Sequence, residues 1–249
     1  MNTASKLIFF DTETTGNEQK DFLVQIAYKI YSSLDKKEDA VFVGLYKPEI
    51  KIPPEASAIH HITNKMVENK KPFSKSEDQP KIKKLFEDKD SVVVAHNAPF
   101  DLTIIKKENI NPNNFICTLK LARYLDPEEK IGRYNLQYLR YLLDLDVEAQ
   151  AHDAFGDVLI LEKLFERLKK KLIEQEKINE DKAIERMIEI SSKPLLIRTL
   201  NFGKYKGKKV EEVLQIDRGW LEWLLREKEK SDVIEHEDWI YTLKHHLQK

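Results

Sequence analysis

Two carboxylates two residues apart, Asp11 and Glu13, follow an apolar run in FFDTETTG (residues 9–16). On a strand, side chains two apart point to one face, so both acids would aim at a common point. Two desolvated anions repel each other, but a divalent cation turns such a pair into ligands. The plainer account is a solvated turn after a strand, and D-x-E by itself does not decide between the two. Further along, HNAPFD (96–101) places Asn97 and Asp101 four apart, where the apolar run SVVVAHN gives way to a helix opened by Pro99. Strand ends of this kind are where α/β sheets carry their sites. HDAFGD (152–157) puts His152 on the approach to a long amphipathic helix and Asp157 at its start. Singly, Asp101 and Asp157 read as first-turn acids favoured by the helix dipole, and His152 as a loop histidine. Three such stretches in order, each at an element boundary, point jointly to one site.

The elements that must position these residues follow from the hydropathy pattern. Apolar, β-branched runs predict strands at 7–10, 22–31 and 40–48, and their short connections suggest an antiparallel meander. Residues 78–88 read as a helix, 91–97 as a buried strand, 99–110 as a helix, 115–122 as a last strand and 135–144 as a helix. From Val158 onward, Leu161, Leu164, Phe165, Leu168 and Leu172 recur at helical spacing. Strands first, then strands alternating with helices, predict an α/β fold with a mixed sheet flanked by helices. Residues 173–194 read as a charged helical connector, broken at Ser191–Pro194, and 195–249 as a small C-terminal module with its own aromatic set.

With 249 residues, 41% of them hydrophobic, the chain can bury a sizeable core, and its net charge of −1 argues mildly against a protein that coats nucleic acid. A single cysteine, Cys117, leaves no intramolecular disulfide or thiolate zinc cage. No apolar run approaches a membrane span and no secretory pattern opens the chain, so the expected location is cytoplasmic.

DTETTG, HNAPFD and HDAFGD, with PPEASAIHHIT (53–63) between the first two, resemble in order the motifs of the DEDD exonucleases with an active-site histidine. This is the family of the DNA polymerase III proofreading subunit. Its pattern of D-x-E, N-x-x-x-D and H-x-A-x-x-D is matched by Asp11, Glu13, Asn97, Asp101, His152, Ala154 and Asp157. The resemblance covers roughly residues 5–172, about the extent of an expected exonuclease domain at 1–172. FICTLKLARYL (115–125) and NFGKYKGKKVEEVLQIDRGWLEWLL (201–225) are further similar to segments of the exodeoxyribonuclease X subgroup.

The resemblance implies a ribonuclease H-like five-stranded sheet and 3′–5′ hydrolysis of DNA ends to nucleoside 5′-monophosphates, in DNA repair or end processing. It implies two Mg²⁺ ions, with Mn²⁺ as substitute, clamping the attacking and leaving oxygens. Asp11 would bridge the ions, Glu13 and Asp157 would complete the water-activating site, and Asp101 would serve the leaving-group ion. His152 would be the general base, since an imidazole near its reference pKa of about 6.5 is largely neutral at neutral pH. The candidate substrate contacts are Thr12, Thr14, His60, Asn97 and Phe100. Asn97 is equally well explained by hydrogen bonding in its own turn, and Phe100 by the core. Many relatives carry a base-wedging leucine directly after the threonine-threonine-glycine stretch, and here that position is Asn17. GKYKGKK (203–209) offers Lys204 and Lys206 for phosphate contacts and Tyr205 for stacking, against a plain lysine-rich turn. His96, by contrast, reads as structural, and His236, His245 and His246 as surface residues. Two other functions share these features: an exoribonuclease of the same family, since the motifs do not read the sugar, and a non-catalytic nucleic-acid-binding subunit.

Overall fold

The computed structural model describes residues 6–32, 38–147, 154–231 and 237–248. Strands β1 (Lys6–Thr14), β2 (Leu23–Ser32) and β3 (Glu38–Leu45) form the antiparallel meander expected from their short connections. Strand β4 (Ser91–Ala95) then pairs parallel with β1, and β5 (Phe115–Cys117) parallel with β4, giving one mixed sheet in the order β3-β2-β1-β4-β5.

Alternation along β1 sorts its side chains into two layers. Phe9 faces a core built with Val158, Leu161, Leu164 and Phe165 of the long helix α7 (Ala154–Glu176). Ile8 and Phe10 face the opposite core, which holds Ile82 and Phe86 of α3 (Asp78–Phe86) and Ile104 and Ile105 of α4 (Ala98–Lys107). Two short helices, α1 (Pro54–His60) and α2 (Asn64–Val67), cover the chain between β3 and α3. Because β1 is the middle strand, what happens at its end is reached by elements from both layers.

The stretch 115–122 is not one strand. β5 stops at Cys117 and Thr118 opens α5 (Thr118–Tyr124), which buries Leu121 and Ala122 in the α7-side core. An apolar run this short fits either a strand or a helix, and only its neighbours decide which. α6 (Leu136–Leu142) follows and packs on α7. The stretch 173–194, read as a connector, holds the end of α7 and then α8 (Glu180–Ser191). Met187 and Ile190 of α8 are buried in that same core. At its end, the Ser191 hydroxyl accepts a 2.8 Å bond from the Cys117 N–H and donates at 2.7 Å to the Met187 carbonyl. A backbone donor at the sheet edge is thereby satisfied by a helix terminus.

The C-terminal residues build a separate, small core around Leu200, Val210, Val213, Leu221 and Leu243, using α9 (Val210–Ile216), α10 (Arg218–Lys230) and α11 (Glu237–Leu247). Lys120 of α5 joins this module to the sheet. Its buried ammonium donates to the Lys193 carbonyl and pairs with Glu237 at 3.4 Å and Asp238 at 3.7 Å.

Candidate active site

Asp11 and Glu13 lie on the α7 face of β1, one step past Phe9 in the same alternation. The β1–β2 register shifts between Glu13 and Thr14, an irregularity that marks where the strand leaves regular pairing. Across the ladder Gln25 of β2 is the partner of Glu13, and its buried amide oxygen accepts the Ala154 N–H at 3.2 Å. This bond fixes the start of α7 beside the acids, so Asp157 in the first turn meets them. Oxygens of Asp11, Glu13 and Asp157 lie within 4.8 Å of one another. Three carboxylates so close make a hard, all-oxygen donor set suited to a divalent cation.

Asp101 arrives from the other layer and stands outside that tight group. The parallel β1–β4 pairing runs only to Phe9↔Val94, and beyond it Thr12 turns to α4 instead. Its N–H donates to Asp101 Oδ1 at 3.1 Å and its hydroxyl to the same oxygen at 2.6 Å. Asp101 is only 2% exposed, so this pair of bonds sets its carboxylate firmly. Thr12, expected at the substrate, is thus turned away from Asp11 and Glu13 and holds a fourth acid. The α4 entry depends on Asn97, which takes a left-handed conformation (φ 66°) that asparagine tolerates better than most residues. Its carbonyl accepts the Phe100 N–H at 2.9 Å, so its turn-forming role is plain. Phe100 itself is half-buried against the α4-side core.

His60, expected at the substrate, is held by main chain on both sides of its ring. It is 5% exposed, its Nδ1 accepts the Ile62 N–H at 3.0 Å, and its Nε2 lies 3.2 Å from the Thr14 carbonyl. Both nitrogens are engaged with main chain, which fixes the neutral tautomer with hydrogen on Nε2. Burial pushes its pKa down despite these bonds. The ring braces the end of β1 through the Thr14 carbonyl. Thr14, also expected at the substrate, donates its hydroxyl to the Gly16 carbonyl at 2.5 Å.

The loop after β1 is built on Asp21, a residue that no motif or spacing singles out. Its carboxylate accepts the Thr15 hydroxyl at 2.8 Å and the Glu18 N–H at 2.8 Å, and it lies so close to Gly16 that a side chain there would collide with it. Lys107 of α4 ties the same loop down through the Gln19 and Asp21 carbonyls. Asn17 is exposed at its crest. His152 and Asp153 lie outside the described residues.

His96 is structural, as expected. Its Nε2 donates to the Tyr134 carbonyl at 2.7 Å and its Nδ1 pairs with the Thr118 hydroxyl at 2.9 Å, while burial lowers its pKa to about 4. Gln137 of α6 carried no sequence signal, yet its Nε2 donates to Asp157 Oδ1 at 2.6 Å. In the C-terminal module Lys204 is committed to Asp217 at 2.7 Å, beside the Tyr205 hydroxyl on the same carboxylate oxygen. Lys206 is exposed. Trp220 packs against Gly203 and Tyr205, whereas Trp223 is 47% exposed beside it. His246, read as a surface residue, is 7% exposed at the end of α11.

Residues 8–165 match the Exonuclease (RNase_T) family, and the chain belongs to it. Its sheet order and flanking helices are those of the ribonuclease H-like exonuclease fold. Residues 200–229 match a second family, the exodeoxyribonuclease X-like C-terminal module. Exodeoxyribonuclease 10 of Escherichia coli K12 is 32% identical over 245 residues, covering 97% of this chain and 99% of that protein. The DNA polymerase III epsilon subunit of Treponema pallidum is 32% identical across 63% of this chain and 73% of its own length. Among solved structures, exonuclease X bound to 5′-overhanging duplex DNA superposes with a TM-score of 0.57 at 30% identity, over 74% of this chain and 99% of that one. E. coli exonuclease I bound to dT13 shares the fold, with a TM-score of 0.58 at 21% identity over 70% of this chain and 43% of that one.

Proposed function

We propose that this protein is a metal-dependent 3′–5′ exodeoxyribonuclease that releases nucleoside 5′-monophosphates from DNA 3′ ends, in cytoplasmic DNA repair or end processing. The observation that carries this reading is the convergence of Asp11, Glu13 and Asp157 within 4.8 Å at the end of the central strand. It occurs in a chain that is similar over nearly its whole length to a named exodeoxyribonuclease.

In this reading Asp11, Glu13, Asp101 and Asp157 would hold two Mg²⁺ ions, for which Mn²⁺ would substitute. When bound, the ions supply Lewis acidity to the attacking water and to the leaving oxygen. Thr12 keeps Asp101 oriented through its two bonds to Oδ1, so that acid needs no reorganisation during turnover. His152 takes the proton of the attacking water as general base, a role carried over from the motif. Asn17, Phe100 and the Asn97 turn form the rim beside the terminal nucleotide. Lys206, with the exposed Trp223 ring, makes a secondary contact to single-stranded DNA through phosphate attraction and stacking, and Lys204 joins it where phosphate displaces Asp217. The nuclease unit in this division extends through α8, whose Met187 and Ile190 belong to its core, and the C-terminal module begins near Leu195.

The test is an assay on matched end-labelled DNA and RNA oligonucleotides, single- and double-stranded, with Mg²⁺ or EDTA. Mg²⁺-dependent release of 5′-mononucleotides from DNA 3′ ends is expected. Preferential release from RNA would favour the exoribonuclease reading, and no release from any end would favour a non-catalytic one.

A further inference from the structure

Gln137 is the second residue of α6, and buried Leu139 in the same short helix fixes how α6 lies on α7. Its side-chain amide donates to Asp157 Oδ1 at 2.6 Å. A carboxylate only accepts, so this contact also fixes which way the amide points, with NH₂ toward Asp157 and Oε1 away. Gln137 Oε1 is buried and has no hydrogen-bond partner among the described residues. A buried amide oxygen without a partner is costly, and few are tolerated in a folded chain.

A cationic donor would hold Asp157 without any leftover oxygen. Lysine or arginine at this place would, however, neutralise the charge that Asp157 brings to the cluster with Asp11 and Glu13. A neutral amide fixes the carboxylate and leaves its charge intact. The orphaned Oε1 is the consequence of using a donor that does not compete with a cation.

We infer that Gln137 is a positioning residue of the metal site, orienting Asp157 toward a divalent cation shared with Asp11 and Glu13 while leaving its charge available. This rests on the metal-site reading proposed above. Outer partners that orient a ligating carboxylate typically change metal affinity about 10–100-fold when removed.

The experiment is a Mn²⁺ titration of the full chain by calorimetry or by loss of the free Mn²⁺ spin signal, with no nucleic acid present. Gln137→Met keeps the length and helix propensity of the side chain but removes the donor. It should bind Mn²⁺ about 10–100-fold more weakly than wild type while keeping an unchanged far-UV spectrum. Gln137→Lys keeps an N–H donor and adds a charge, and should lose Mn²⁺ binding at least as fully. A lysine variant that binds Mn²⁺ like wild type would overturn the claim that a neutral donor matters here. Mn²⁺ affinity in Gln137→Met indistinguishable from wild type would overturn the inference alone. Wild-type protein that binds no Mn²⁺ would overturn the metal-site reading and this inference with it.

Discussion

Asp157→Asn offers the sharpest test of why three acids share the end of β1. Oxygens up to 4.8 Å apart define three like-charge pairs, and Asp157 belongs to two of them. Coulomb's law at that distance gives about 0.9 kcal/mol per pair at the dielectric of water and about 3.5 kcal/mol at an effective dielectric of 20. Asp11 and Glu13 are only half-buried, which favours the lower figure. Removing the Asp157 charge therefore relieves about 2 kcal/mol, from which about 1 kcal/mol is lost because Gln137 now bonds to a neutral oxygen. The metal-free variant should melt about 2–4 °C higher than metal-free wild type. Saturating Mg²⁺ should reverse the order, since ligand at about 100 times its dissociation constant adds about 2.7 kcal/mol to a protein that binds it. Wild type then gains several degrees and the variant little. Scanning calorimetry with EDTA and with Mg²⁺, on both proteins, reads all four values. A metal-free variant that melts no higher than wild type, or one stabilised equally by Mg²⁺, would refute the argument.

Thr12→Val keeps the shape of the strand but removes the hydroxyl from Asp101. It should cost about 1.5–3 kcal/mol by chemical denaturation and lower kcat more than it changes KM in the nucleotide-release assay. Ser191→Ala strips the Cys117 N–H of its acceptor, so a loss of about 1–3 kcal/mol is expected, measured by urea unfolding. A loss near zero would mean that α8 does not secure the sheet edge. His96 titrates near 4 in the folded chain because burial disfavours its cation, against 6.5 when unfolded. The unfolded chain thus takes up the proton first, and His96 contributes full stability above pH 6.5. That contribution falls by up to about 3 kcal/mol as the pH drops toward 4, with buried His60 adding in the same direction. Melting curves from pH 7 to 4 should show the decline in wild type and a flatter one in His96→Gln.

Much of the site was legible because its signals are local. Strand alternation puts Asp11 and Glu13 on one face whatever the rest of the chain does, and acids in first turns follow from helix starts that Pro99 and the apolar spacing after Val158 reveal. The meander of β1–β3 followed from connection lengths in the same way, and the mixed sheet from strands that later alternate with helices. The expected strand over 115–122 ends at Cys117 because the residues after it are apolar enough for either element, and their helix is decided by packing against α7 and α8. His60 sits where the resemblance places a substrate-facing histidine. Its two main-chain bonds depend on how α1 and the β1 end meet, which no spacing reports.

The sequence by itself determined which residues are candidates for the chemistry, because motif type and periodicity are properties of neighbours along the chain. Tertiary structure alone decided who holds them in place. Gln25 fixes the start of α7, Thr12 turns to Asp101, Gln137 bonds Asp157, and Asp21 with Lys107 ties the loop beneath Asn17. Most of these partners are 20 to 129 residues apart along the chain. Their side chains meet only because the central strand presents one face to each helical layer, a juxtaposition that no local pattern along the chain reports.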